Sequence, residues 1–184
     1  MTEAASMTGR LGPEIDVSVS CRLWEEALSN AQALSRNAAQ AVVLEYGPEL
    51  THVEASIVLA DDAFVKGLNR DYRDQDRPTN VLSFPALEPD QGILARGETL
   101  TGMPVMLGDV VVAYETAAAE ATDEGKTLGD HLSHLVVHGM LHLLGHDHQT
   151  PVAAEAMEKL EVDVLAGLDI ANPYGDDHPA AAGR

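Results

Sequence analysis

The stretch LGDHLSHLVVHGMLHLLG, residues 128–145, constrains the fold more than any other part of this chain. Wound at 3.6 residues per turn, it is apolar on every face that its histidines leave free. A helix that is hydrophobic nearly all round must be buried over most of its circumference. It is therefore expected to be the central helix, covered by a sheet and by other helices. Gly145 stands where a helix needs a residue tolerant of positive φ in order to stop and turn back.

The remaining segments supply what such a helix can pack against. IDVSVS alternates and predicts a strand over residues 15–20, and VEASIVLA predicts a second over 53–60. Residues 22–46 carry Leu23, Trp24, Ala27, Leu28, Ala31 and Leu34 at helical spacing, and the helix is expected to stop before Gly47 and Pro48. A helix with an acidic first turn is predicted over 61–73. A short extended run follows at 81–84, closed by Pro85. Residues 86–103 contain Pro and Gly without periodicity and predict a loop or an irregular hairpin. LGDVVVAY is a buried strand, ETAAAEATDEG an Ala-rich helix, and residues 151–168 a last helix with Pro151 in its first turn. The expected fold is α+β, a single domain over residues 14–170 in which one mixed sheet of about four strands packs with about five helices. Residues 1–13 are expected to be a flexible leader and 171–184 a disordered tail. The strand order does not follow from the pattern.

Composition narrows the function. A chain of 184 residues that is 45% hydrophobic can bury one good core. Cys21 is the single cysteine, so there is no disulfide within the chain and no thiolate cluster for a metal. No apolar run is long enough to span a bilayer, and the N-terminus has neither the basic nor the apolar region of a signal peptide. A cytoplasmic protein without a membrane partner is expected.

The formal charge of −19 argues against general nucleic-acid affinity, because phosphate contacts need Lys and Arg. Yet four of the eleven basic residues, Lys66, Arg70, Arg73 and Arg77, lie within twelve positions. Their spacing would line one helix face if the helix ran that far. Asp61, Asp62, Asp71, Asp74 and Asp76 cancel the local charge, so the ordinary alternative is a solvated, salt-bridged face.

HGMLHLLGHDH, residues 138–148, holds four of the eight histidines. His138 and His142 are four apart, which puts both imidazoles on one helix face where they can converge on one ion. A sharp turn at Gly145 would bring His148 round as a third nitrogen. Three neutral nitrogens and an open fourth position are the layout of a catalytic zinc site, placed here at the end of the central helix. The pattern H-x-x-x-H-x-x-G-x-x-H has metzincin spacing, but a zincin protease carries Glu directly after its first His. Here that position is Gly139, which cannot accept a proton from water, so peptide hydrolysis by that mechanism is disfavoured. Other arrangements remain open. The histidines could form a hydrogen-bonded core row, His134 and His138 could pair on a metal, and His146 could compete with His148. His134 is otherwise placed as support one turn below the site or as a core residue, and Asp147 either as a residue that orients a ligand or water or as a solvated turn aspartate.

At this point the chain resembles a known family. HLVVHGMLHLLGHDH is similar to the signature H-G-x-L-H-L-x-G-Y-D-H of the YbeY-type rRNA maturation factors, bacterial single-strand-specific endoribonucleases. LNRDYRDQDRPTNVLSFP, residues 68–85, resembles their L-N-x-x-Y-R-x-x-D-x-P-T-D/N-V-L-S-F-P, and LGDVVVA resembles their L-G-D-I-x-I strand. The blocks stand in the family's order. The resemblance implies that His138, His142 and His148 hold one Zn2+ per chain and that Arg73 serves catalysis or RNA contact. It also implies maturation of the 3′ end of 16S rRNA, a part in ribosome biogenesis and quality control, and the small ribosomal subunit, with its assembly proteins, as partners. Lys66, Arg70 and Arg77 are the expected additional RNA contacts. His146 departs from the family's usual Tyr. The alternatives are a non-catalytic zinc-containing assembly factor and a metal-dependent hydrolase of another class.

Overall fold

The structure is a computed structural model, described here for residues 12–50, 52–87 and 104–175. The expected leader therefore falls outside the described residues except for Gly12 and Pro13. Most of the expected 86–103 loop, and the tail beyond Gly175, also lie outside them.

Four strands form one mixed sheet: β1 (Glu14–Val19), β2 (Val53–Ala60), β3 (Val81–Pro85) and β4 (Val105–Ala113). Their spatial order is β1-β2-β4-β3. β1 and β4 both run parallel to β2, and β3 pairs antiparallel with β4 at the sheet edge. Alternation along the strands assigns two faces. Ile15, Val17, Ala55, Ile57, Leu59, Val110 and Val112 enter the main core. Ala60, Leu82, Val111 and Ala113 form a smaller cluster on the other face.

Six α-helices complete the described fold: α1 (Leu23–Ala27), α2 (Ala31–Glu45), α3 (Asp62–Arg73), α4 (Tyr114–Asp123), α5 (Leu128–Leu144) and α6 (Pro151–Ala166). None is long and apolar enough to cross a membrane. As expected, α5 is central, with Leu132, Val136, Val137, Met140, Leu141 and Leu144 buried in the main core. α3 covers the opposite face through Val65 and Leu68.

The single helix expected over residues 22–46 is instead two. Leu28 leaves helical geometry at φ −147° and ψ 86°, and α2 starts anew after Asn30. Ser29 and Asn30 are residues whose side chains compete for backbone hydrogen bonds. α1 is meanwhile anchored by buried Trp24, which donates its indole N–H to Ala60 O at 3.0 Å. α3 likewise ends at Arg73, because Asp74 adopts a left-handed conformation at φ 56°. Arg77 therefore lies beyond the helix and does not continue the basic stripe.

Candidate metal centre

The end of α5 builds the site. Thr127 caps its start, its Oγ1 accepting from Asp130 N–H at 3.0 Å. At the other end Gly145 takes φ +104°, a conformation natural to glycine and strained for any other residue. His146 N–H then donates to Leu141 O at 3.0 Å and Gly145 N–H to His142 O at 3.1 Å, a closing pattern that reverses the chain sharply. The six residues from Gly145 to Thr150 return to α6, and His148 is carried back over the helix end.

His138, His142 and His148 meet there, each with one ring nitrogen within 4.8 Å of those of the others. His138 Nε2 and His142 Nε2 are 3.1 Å apart. The other nitrogen of each ring is committed. His142 Nδ1 faces the carbonyl oxygen of His146 at 2.9 Å, so Nδ1 must carry the proton. His138 Nδ1 faces Glu161 Oε1 at 2.7 Å and carries a proton by the same logic. Burial, reinforced by the neighbouring His138, lowers the pKa of His142 to about 4, so its ring is neutral at pH 7. Both Nε2 atoms therefore face the cleft side by side, where they can offer their lone pairs to one cation. Their separation is close to the edge of a tetrahedron with metal–nitrogen bonds of about 2.0–2.1 Å. The donor set fits a divalent borderline metal such as zinc, with His148 as third ligand and a solvent-open side.

His146 does not compete for that position. Its Nε2 is bonded to the Tyr46 hydroxyl, and its backbone oxygen serves His142. Burial lowers its pKa. The His134–His138 alternative also fails on geometry, because His134 turns to Tyr174 (3.3 Å) and to Glu161 Oε2 (3.5 Å). His134 thus sits one turn below, linked to the site through Glu161.

The cluster opens into a cleft of about 480 Å³ whose wall includes Arg73, Ser83, His138, His142, Asp147 and His148. Arg73 reaches it from the last turn of α3, donating from Nη2 to Ser83 O at 3.4 Å. Asp147 lines the rim, its Oδ1 accepting from Gln149 N–H at 3.1 Å. Arg77 lines a neighbouring cavity of about 280 Å³ that shares Arg73, Thr79 and Asn80 with the cleft. Lys66 and Arg70 line neither. They pair with Asp76 at 3.5 Å and Asp71 at 2.8 Å on the surface.

Gly139 has a structural reason beyond the missing carboxylate. A Cβ there would lie 2.6 Å from Val110 Cγ1 and 3.1 Å from Ser83 Oγ, which itself donates to Gly139 O at 3.1 Å. The helix rests directly on β3 and β4 at this point, and no glutamate fits.

Sequence reasoning missed Glu161 and Tyr174. Glu161 is 1% exposed, and Tyr174, inside the segment expected to be a tail, donates its hydroxyl to Glu161 Oε2. Burial raises the pKa of Glu161, but hydrogen bonds from His134, His138 and Tyr174 outweigh it, leaving the group ionised with a pKa of about 2. A signal was present. Met157, Leu160, Val164 and Leu165 form an apolar stripe, and Glu161 is the one carboxylate within it.

An α+β domain with three histidines that could hold a metal ion, open to a cleft that an arginine also lines, defines the class of fold and site. Comparison with known proteins narrows that class. A family model described as endoribonuclease YbeY matches residues 19–169. A protein of Paramagnetospirillum magneticum named endoribonuclease YbeY is 52% identical over 167 residues, covering 89% of this chain and 96% of its own. Another of that name, from Parvibaculum lavamentivorans, is 51% identical over 169 residues, covering 91% and 88%. The solution structure of a Thermotoga maritima protein shares the fold, with TM-score 0.51 at 24% identity over 92% of this chain and 99% of the other. The chain belongs to the YbeY endoribonuclease family.

Proposed function

We propose that this protein is a zinc-dependent endoribonuclease of single-stranded RNA that matures the 3′ end of 16S rRNA in the cytoplasm and takes part in ribosome biogenesis and quality control. The observation that carries the reading is the presence of Arg73 and the three-histidine cluster in one open cleft. Zinc held by His138, His142 and His148 would polarise a phosphoryl oxygen and make bound water acidic enough to react near neutral pH.

The chain's own residues supply the rest. A guanidinium stays charged at any working pH and can hold two nonbridging oxygens at once. Arg73, tethered to the Ser83 carbonyl, offers its remaining N–H groups to a phosphodiester as negative charge concentrates there. Gly139 supplies no base, which supports phosphodiester over peptide chemistry. With a net charge of −19, most of the surface repels RNA, so binding depends on the few cations near the cleft. Lys66, Arg70 and Arg77 are assigned to guiding the strand, and the small ribosomal subunit with its assembly proteins is assigned as the partner that presents it.

The test is digestion of a defined single-stranded RNA, the same sequence in duplex, and casein by one preparation. Cleavage of the single strand alone is expected. Lys66→Ala and Arg70→Ala are expected each to weaken RNA binding and flatten its salt dependence by about one unit of log–log slope. Casein cleavage, or zinc binding without RNA cleavage on the isolated subunit, would overturn the nuclease reading.

A further inference from the structure

We propose that Glu161 and Tyr174 are positioning residues for the metal centre: Glu161 fixes the His138 ring with Nε2 toward the cleft, and Tyr174 holds Glu161 in place. The proposal rests on the reading of the three histidines as metal ligands.

The two carboxylate oxygens of Glu161 are divided between tasks. Oε1 accepts from His138 Nδ1 at 2.7 Å, and Oε2 accepts from the Tyr174 hydroxyl, with His134 Nε2 3.5 Å away. A carboxylate that is 1% exposed is costly to bury unless fully paired, and an apolar residue would fill a place between Leu160 and Val164 at lower cost. Its presence is explained by His138. A carboxylate on Nδ1 fixes the tautomer, stops ring rotation and makes Nε2 a stronger donor to a metal. His142 is oriented differently, by the backbone oxygen of His146. Of these two, His138 is therefore the one whose donor strength is set by a side chain.

Tyr174 extends the device to the turn after α6. That turn is fixed by Tyr174 N–H donating to Asn172 Oδ1 at 2.9 Å and by Lys126 Nζ donating to Pro173 O at 3.4 Å. Docking of the turn and binding of metal are then linked, and each favours the other by the same factor.

The test uses the full chain, stripped of metal, as wild type, Glu161→Gln and Tyr174→Phe. Zinc affinity is read by competition with a chromophoric chelator, geometry by the visible spectrum of the Co2+ form, and folding of the metal-free proteins by circular dichroism. Glu161→Gln is expected to bind zinc about 10–100-fold more weakly with an altered Co2+ spectrum. Tyr174→Phe is expected to weaken zinc in the same direction by a smaller factor. Folded variants that bind zinc as tightly as wild type, with an unchanged spectrum, would overturn the proposal. If Glu161→Gln does not fold, Tyr174→Phe decides alone, since it removes one hydroxyl from a side chain that is 47% exposed. Failure of wild type to bind zinc would instead sink the metal reading itself.

Discussion

His146 and His148 are two residues apart and chemically identical, yet their surroundings give them different work. Tyr46 takes the Nε2 of His146, whereas His148 is exposed and faces the other two rings, with centroids 5.6 and 5.1 Å away. His146→Phe is therefore expected to leave one zinc per chain, while His148→Ala weakens zinc by at least tenfold. Metal analysis after dialysis checks both. Gly139→Ala is expected to cost about 1–3 kcal/mol, as overpacking does, because the added methyl meets Val110 and Ser83. Urea unfolding of the metal-free protein measures it. The convergence of His138, His142 and His148 was legible because they lie within eleven positions, where helical spacing and one glycine fix their geometry. Glu161 was not read, because its pairing with His138 spans 23 positions and depends on how α6 lies against α5. Arg73 entered through a motif, since the contact with Ser83 that brings it to the cleft is tertiary.

Among the elements, the turn from α5 to α6 matters most, because it brings His148 to the cluster from outside a helix. Gly145→Ala keeps every side chain of the site but strains φ at +104°. It is expected to lower stability by about 1 kcal/mol and, by displacing His148, to weaken zinc several-fold. Thermal melts with and without zinc separate the two effects, since the gap between them shrinks only if the site is altered. The strands were legible from alternation, as in β2, where every second residue is buried. Their order was not, because alternation within a strand carries no record of which neighbour it pairs with, and β2 pairs with β4 rather than β3. The break between α1 and α2 escaped the same reading. Periodicity continues across Leu28, and the break reflects Ser29 and Asn30 together with Trp24 held against Ala60, a tertiary contact.

For the molecule as a whole, the buried groups of the site make the metal-free protein sensitive to acid. His142 has a pKa near 6.5 when unfolded and about 4 when folded, so the unfolded chain binds the extra proton between those values. Stability contributed by the neutral ring is present above 6.5 and falls as pH drops toward 4. Glu161, lowered from 4.5 to about 2, contributes stability that is present above 4.5 and lost as pH falls through 2. Two successive losses are expected in urea titrations of the metal-free protein from pH 7 to pH 2.5. A flat profile between pH 6.5 and 4 would show that His142 is not held neutral by the fold. Zinc should raise the midpoint less in acid than at neutral pH, because protons compete with the metal for ligand nitrogens.

Three histidines and an arginine share one cleft, and zinc content and RNA cleavage are most directly tested together on a single preparation. Zinc content and cleavage of single-stranded RNA would be compared for wild type, His142→Ala and Arg73→Ala. Wild type is expected to hold about one zinc per chain and to cut RNA, His142→Ala to lose both, and Arg73→Ala to keep zinc while cleavage falls about 10²–10³-fold. Zinc bound equally by wild type and His142→Ala, or cleavage unchanged in both variants, would contradict the proposed function.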